Sequence, residues 1–302
     1  MNYIGQAHNV LHEVDQGWSQ PLRDMRGMIY DFSVEEPVLV SRGFEKFFNY
    51  SELPENTYEA LTQEFGTGKY TAREKADGHM IEYFVHNGEL CSSTRGKFGT
   101  ASAEIAGNML TLSDFQQVEK TVGKKLMSIV VELIHPYTKV FVDYDNVETL
   151  YLLNAYDSDG ESLKLTELEH TCKAMPHLFM CPESREVTLN DLVDEVSSRS
   201  VSNHEGWVMN FNGQLIKFKY IKLSYKYIMN CMIKGRLDKM MFMLPEEVRE
   251  TAYKMVDVVN DTMDDAYDSG DHKVLYKLHN ESEGGVNYFR TVCRNFYRFT
   301  TT

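Results

Sequence analysis

The stretch REKADGHMIEYF, residues 73–84, sets a lysine and an Asp-Gly turn directly ahead of an alternating apolar run. Asp-Gly closes tight turns, and the alternation from Met80 onward is the pattern of a half-buried strand. Lys75 therefore stands at the mouth of a turn that leads into a strand. A surface lysine beside a common turn satisfies that pattern, and so does a nucleophile. An ordinary lysine amine, with a pKa of about 10.4, is almost wholly protonated at neutral pH. A nucleophilic lysine needs burial or neighbouring cations to keep it neutral, and it attacks carbonyl carbon or phosphorus. Attack on phosphorus would also require cations for a polyphosphate and carboxylates for a divalent metal.

Working outward, the run MIEYFV (80–85) is followed by His-Asn-Gly and the return segment ELCSSTR, which predicts a hairpin. The same layout recurs as WVMNF, Asn212-Gly213 and QLIKFKYI. SIVVELI (128–134) and ETLYLLNAY (148–156) read as buried strands. Helices are expected over 188–199 and at both ends of 100–122. After about residue 228 the texture changes. Pro245 opens a helical pattern with Glu246 and Glu247 in its first turn, and Val248, Ala252, Met255, Val259 and Met263 recur at helical spacing. The expected fold class is α+β: a mostly antiparallel-sheet domain over 1–229 and a small all-helical domain over 230–302.

The 302 residues carry a net charge of −14, which argues against a protein that coats duplex nucleic acid by electrostatics alone. Charge is unevenly spread. Residues 217–239 contain seven Lys or Arg against Asp238, while acid gathers at 257–271. Five scattered cysteines without Cys-x-x-Cys fit a reducing compartment, and neither a signal peptide nor a membrane span is expected. His170, Cys172, His177 and Cys181 lie close together, but their spacing is not that of a zinc finger. The DSGD near Gly270 lacks the closing Glu of a calcium loop.

The parts that phosphorus chemistry requires are present. Glu132 interrupts the apolar run VVELI, and Glu205 opens Glu205-Gly206-Trp207-Val208. A carboxylate in an apolar strand is costly unless it meets a cation or metal. Lys217 and Lys219 share one strand face, because side chains alternate with period two. Further cations follow the first hairpin in Ser93-Thr94-Arg95-Gly96-Lys97.

Taken in order, Lys75-Ala-Asp77-Gly78, VVELI, Glu205-Gly206-Trp207-Val208 and Lys217-Phe-Lys219 resemble motifs I, III, IV and V of the covalent nucleotidyltransferases. That superfamily includes ATP-dependent DNA ligases, RNA ligases and mRNA capping enzymes. Upstream, LRDMRGMIYDF and LVSRGFEKFFNYSEL look like the RNA ligase 1 branch of phage enzymes. The resemblance covers about residues 23–225. It implies an ATP-dependent RNA ligase that joins 5′-phosphate and 3′-hydroxyl RNA ends through a lysyl-AMP intermediate, with Mg2+ or Mn2+ as the metal. Single-stranded ends or a broken stem-loop are the expected RNA, and a cytoplasmic monomer (host cytoplasm if viral) without membrane association is expected.

The resemblance also implies residue roles. Lys75 would attack the α-phosphorus of ATP, while Asp77 and Gly78 would shape the turn, with Asp77 near the ribose or the metal's water shell. Glu74 would read the adenine amino group, and Tyr151 is a candidate stacking aromatic. Glu132 would bind a ribose hydroxyl or metal-held water, and Glu205 would join the metal site. Lys217 and Lys219 would contact the α-phosphate and, as neighbouring cations, favour the neutral amine of Lys75. Arg26, Lys46 and Lys97 are candidates for the β- and γ-phosphates and for later RNA contacts. Beyond the resemblance, Lys222, Lys226, Lys234 and Arg236 are expected to supply basic contacts to RNA. The alternatives are a DNA ligase, a GTP-dependent capping-type enzyme, or a non-catalytic RNA-binding relative. The first two usually carry an OB-fold where this chain turns helical, and the third would not need all five of Lys75, Glu132, Glu205, Lys217 and Lys219.

Overall fold

The structure, a computed structural model, describes residues 18–197 and 203–220. The expected C-terminal helices, the acidic run at 257–271 and Lys222, Lys226, Lys234 and Arg236 lie outside the described residues. In chain order the elements are α1 (Gln20–Asp24), β1 (Ile29–Asp31), β2 (Val38–Ser41), β3 (Phe48–Asn49), α2 (Tyr58–Phe65) and β4 (Lys69–Glu74). There follow β5 (His79–His86), β6 (Glu89–Thr94), α3 (Ala101–Gly107), α4 (Leu112–Val122), β7 (Leu126–Ile134) and β8 (Thr149–Asp157). The last are α5 (Leu165–Ala174), β9 (Phe179–Met180), β10 (Ser184–Thr188), α6 (Leu189–Ser197), β11 (Gly206–Phe211) and β12 (Gln214–Lys219). This is the mixed, antiparallel-rich α+β architecture expected. Among the described residues, no helix is long and apolar enough to cross a membrane.

The chain divides into two compact units. The described residues of the first are 18–47, 71–186 and 213–215, and those of the second are 48–70, 187–197, 203–212 and 216–220.

In the first unit, β5 and β6 pair antiparallel because Asn87 (φ 51°) and Gly88 (φ 80°) supply the two positive φ values of a type I′ hairpin. β7 then pairs with β5, and β8 with β7, both antiparallel, while β9 adds in parallel to β8. The sheet order is β6-β5-β7-β8-β9. Alternate residues Ile81, Tyr83, Ile129, Val131 and Leu133 enter a core with Ala106 of α3, Phe115 and Val118 of α4, and Leu168 of α5. The helices begin on side-chain caps: Thr100 accepts from the Ala103 N–H, and Thr111 and Asp114 form a reciprocal capping box. The other residues of β5 and β7, including Glu82, Val130 and Glu132, therefore belong to the opposite face of the sheet. On that side Ser41 and Arg42 bond the sheet directly, with the Ser41 hydroxyl donating to Glu82 and the Ser128 hydroxyl to the Arg42 carbonyl. β1 and β2 pair antiparallel as a two-stranded ribbon.

In the second unit, β11 and β12 are sheet neighbours, and β12 runs parallel to β3 with Ile216 opposite Phe48 and Lys217 opposite Asn49. Ile216 and Phe218 are buried, so Lys217 and Lys219 take the other face, as their spacing predicts. Phe211 packs between the rings of Phe65 (5.1 Å) and Tyr70 (4.8 Å), and Phe218 stacks on Tyr50 at 5.1 Å. Trp207 donates its indole N–H to Glu195 (3.0 Å) and to the Tyr220 hydroxyl (3.2 Å), which gives a buried polar atom its partners.

Candidate active site

Lys75 leaves the end of β4 and is followed within four residues by the start of β5. The turn between them is fixed at several points. Asp77 is buried, and its Oδ2 accepts the backbone N–H groups of Phe141 and Val142, each at 2.7 Å. Its own N–H donates to the Tyr144 hydroxyl at 2.9 Å. Gly78 donates its N–H to Glu132 Oε1 at 3.1 Å. Glycine is required there by space: a Cβ would stand 2.2 Å from the Leu133 carbonyl oxygen and 2.8 Å from Ile134 Cδ1. The lysine turn is thus pressed onto the strand that carries the carboxylate.

Glu132 lies opposite Met80 on one side and Tyr151 on the other, so these three form one row across β5, β7 and β8. Glu74 is tied to the segment before β10: its N–H donates to the Glu183 carbonyl at 2.7 Å, and its Oε2 accepts the Glu183 N–H at 3.4 Å. Burial raises the Tyr151 and Tyr144 phenols above their ordinary range, and the charge of Glu74 pushes both in the same direction. The two rings lie 6.5 Å apart, tilted by 54°. Glu74, Tyr144 and Tyr151 are all half-buried and close enough for the Glu74 charge to act on both phenols. Sequence reasoning missed Tyr144, whose setting in FVDYDNVE reads as an acidic turn.

The candidate polyphosphate residues fall into two groups. Arg26 donates from Nη1 to the carbonyls of Phe44 and Glu45, both at 3.4 Å. Those carbonyls immediately precede Lys46, so the two basic residues are brought to one segment. Lys46 is buried, with its ammonium 5.6 Å from the centre of the Trp18 ring. Lys97 sits exposed on the turn after β6, where its carbonyl accepts from the Thr94 N–H at 3.2 Å and hydroxyl at 3.0 Å.

Glu205, Lys217 and Lys219 belong to the second unit. Glu205 is buried and ion-paired to Lys219, with Nζ 3.0 Å from Oε1. The residue after it, Gly206 (φ +146°), allows the close approach of β11 to β12, since a Cβ there would lie 2.0 Å from the Phe218 carbonyl oxygen.

Immediately before Glu74, Arg73 is half-buried and donates to the carbonyls of Leu153 (2.7 Å) and Leu152 (3.1 Å). Its guanidinium neighbours the Cys172 and Cys181 thiols, and the Cys172 thiol donates to the Met180 carbonyl at 3.8 Å. The closeness of the two thiols, aided by the Arg73 charge, draws the Cys181 thiol below its ordinary range and pushes the Cys172 thiol above its own. Among the described residues, no group of three or more His, Cys, Asp or Glu side chains gathers in a way that could hold a metal, the 170–181 segment included.

The RNA ligase family profile matches residues 24–229. RNA ligase 1 of Bacteriophage TS2126 is 27% identical over 213 residues, covering 65% of this chain and 50% of its own length. A Thermovibrio ammonificans protein provisionally named an RNA ligase is 29% identical over 198 residues, covering 64% of this chain and 48% of its own. The chain therefore spans about half the length of the curated relatives it matches. Among solved structures, two forms of an archaeal ATP-dependent RNA ligase align with TM-scores of 0.54 and 0.55 at 15% identity. They cover 90% and 85% of this chain and 66% and 71% of theirs, and at that identity the likeness is one of fold.

Proposed function

Because the chain belongs to the RNA ligase family, we propose that it seals RNA ends at the expense of ATP through a covalent adenylate on Lys75. The observation that carries this reading is the Gly78 N–H bond to Glu132, which ties the lysine turn to the carboxylate strand. In the first step the neutral Lys75 amine attacks the α-phosphorus. A P–N bond forms, the P–O bond to pyrophosphate breaks, and the amine sheds its extra proton to solvent. An oxygen of an RNA 5′-phosphate then takes the AMP, breaking the P–N bond and returning the amine. Finally a 3′-hydroxyl attacks the 5′-phosphorus, loses its proton and expels AMP. All three steps are in-line displacements, in which positioning and charge neutralisation do most of the catalysis.

Glu74, Tyr151 and Tyr144 suit the adenine, with the carboxylate for its amino group and the rings for its faces. Glu132 suits a ribose hydroxyl or a metal-held water. Lys217 and Lys219 neutralise the α-phosphate, and Arg26, Lys46 and Lys97 the β- and γ-phosphates. Asp77, whose Oδ2 already accepts two backbone bonds, chiefly shapes the turn and reaches an ion only through water. Asp77, Glu132 and Glu205 have the hard oxygens that Mg2+ or Mn2+ takes but do not gather into a cage of their own. An ion would therefore be held chiefly by phosphate and water oxygens, with these carboxylates acting through water. When bound, such an ion supplies further charge neutralisation on the phosphates.

Residues 1–229 are the adenylation module in this reading, and 230–302, which lie outside the described residues, a module that selects the RNA. The protein works as a monomer in a reducing cytoplasm, a setting with which the free thiols Cys91, Cys172 and Cys181 agree. Incubation with α-labelled ATP and a divalent metal is expected to give a labelled protein, its label stable to alkali and released by hot acid as a P–N bond is, that Lys75→Ala abolishes. Label surviving Lys75→Ala, or none at all with wild type, defeats the proposal, and label from GTP alone would make it a capping-type enzyme. Circularisation of a 5′-phosphorylated single-stranded RNA, set against a DNA of the same sequence, separates RNA from DNA ligase.

A further inference from the structure

Two Arg-Gly pairs, Arg26-Gly27 and Arg42-Gly43, flank the β1–β2 ribbon. Both glycines stand against one side chain of β5. Glu82 is fully buried, its Oε2 accepts from the Ser41 hydroxyl at 3.1 Å, and its Oε1 is buried without a hydrogen-bond partner. A Cβ on Gly27 would lie 2.5 Å from that Oε1, and a Cβ on Gly43 would lie 2.2 Å from it. The carboxyl therefore occupies the side-chain space of two glycines at once, bracketing the ribbon where the chain enters and where it leaves. Burial outweighs the pull of the Ser41 bond and of the Arg26 charge and raises the carboxyl to about 8. At neutral pH the group under the two backbones is mainly the uncharged acid.

What stands on those backbones are the candidate polyphosphate residues. Arg26 precedes Gly27 and bonds the carbonyls of Phe44 and Glu45, which follow Gly43 and lead into Lys46. The carbonyl of Arg42 is held by Ser128, and its guanidinium donates to the Gly160 carbonyl at 3.0 Å. We propose that Glu82 is a positioning residue for the triphosphate end of the nucleotide site: it seats both Arg-Gly backbones so that Arg26 and Lys46 meet the β- and γ-phosphates in the lysine-adenylation step. This rests on the RNA ligase reading. It goes beyond that reading by giving a role to a buried acid that touches no substrate.

The role is specific to one step, and that makes it testable. Sealing of RNA that already carries a 5′-adenylate bypasses the triphosphate altogether. Glu82→Ala is expected to raise the ATP concentration for half-maximal lysyl-AMP formation by about tenfold or more, as loosened positioning does, while sealing of pre-adenylated RNA stays within about threefold of wild type. Glu82→Gln keeps the shape and neutrality of the acid and is expected to stay near wild type in both assays. Gly43→Ala drives a methyl into the carboxyl and should repeat the Glu82→Ala defect, with Gly43→Ala/Glu82→Ala restoring part of the loss. This pair keeps the proposal open to refutation should Glu82→Ala not fold. Equal slowing of both steps by Glu82→Ala, damage from Glu82→Gln as great as from Glu82→Ala, or no relief in the double variant overturns the role. A wild-type protein that neither adenylates itself nor seals pre-adenylated RNA overturns the ligase reading first, and the assignment of Glu82 with it.

Discussion

Gly78→Ala should uncouple the nucleophile from its carboxylate strand without unfolding the protein. The added Cβ would stand 2.2 Å from the Leu133 carbonyl oxygen, 3.0 Å from its carbon and 2.8 Å from Ile134 Cδ1. Two of those atoms are backbone and cannot rotate away. Relief to an ordinary contact needs a separation of about 1 Å between the turn and β7. The Gly78 N–H bond to Glu132, now 3.1 Å, is then lost. Losing a bond to a charged acceptor costs about 1.5–3 kcal/mol, and overpacking adds about 1–3 kcal/mol. A misplacement of that size at a reacting centre is worth about a hundredfold in rate. Single-turnover lysyl-AMP formation with α-labelled ATP should therefore slow by about two orders of magnitude, with a lowered Tm and an unchanged far-UV spectrum. Gly88→Ala supplies the control: it strains a left-handed residue (φ +80°) at the hairpin tip where no atom lies within 4 Å, so stability falls slightly and adenylation does not. A Gly78→Ala protein that adenylates at the wild-type rate would refute the idea that this turn's seat on β7 aims Lys75.

Other expectations follow from contacts described above. Tyr144→Phe removes the acceptor of the Asp77 N–H, so stability should fall by about 1–3 kcal/mol and adenylation should slow. A variant with wild-type urea midpoint and rate would show that water replaces the hydroxyl without loss. Arg73→Lys cannot make both bonds to the Leu152 and Leu153 carbonyls in the same fork, and a loss of about 1–3 kcal/mol is expected by chemical denaturation. Glu82 gives stability a pH dependence of unusual sign. Its carboxyl titrates near 4.5 in an unfolded chain and near about 8 in the fold, so between those values only the folded form keeps the proton. The stabilisation is complete below 4.5 and drains away as pH rises through the folded value, by up to about 1.4 kcal/mol per pH unit. Glu82→Gln removes that slope, so its denaturation midpoint should gain on wild type steadily between about pH 5 and pH 8. Parallel curves would mean the acid is ionised in the fold.

The parts of the site that lie within single strands were legible in the sequence. Alternation placed β5 and β6 and their Asn87-Gly88 turn, and the same rule put Lys217 and Lys219 on one face. The Lys-x-Asp-Gly spacing located the turn. What could not be read were its anchors. Phe141, Val142 and Tyr144 lie in a stretch with no hydrophobic period, and their bonds to Asp77 depend on where β7 and β8 bring that loop. Glu82 was hidden for a related reason. An acid inside an alternating strand normally marks the solvent face, and this one is covered only because Gly27 and Gly43 lack the Cβ atoms that would keep the β1–β2 ribbon off it. The two-residue strands β3 and β9 carry too little pattern to be seen at all, and only pairing defines them.

The pairing of β3 with β12 has a consequence for how the protein is made. Asn49 and Lys217 face each other in parallel register, and the Tyr50 N–H donates to the Lys217 carbonyl at 2.8 Å, across roughly 170 residues of chain. On a ribosome adding about 5–20 residues per second, the strand carrying Phe48 waits on the order of ten seconds or more for its partner. During that interval a phenylalanine that ends up buried has nothing from β12 to cover it, and it is a natural target for a chaperone. Lys217 and Lys219 are the last to be synthesised of the residues proposed above to meet the nucleotide. On the proposed reading, a nascent chain holds Lys75 long before it holds Lys217 and Lys219, so self-adenylation should begin only once β12 has been made.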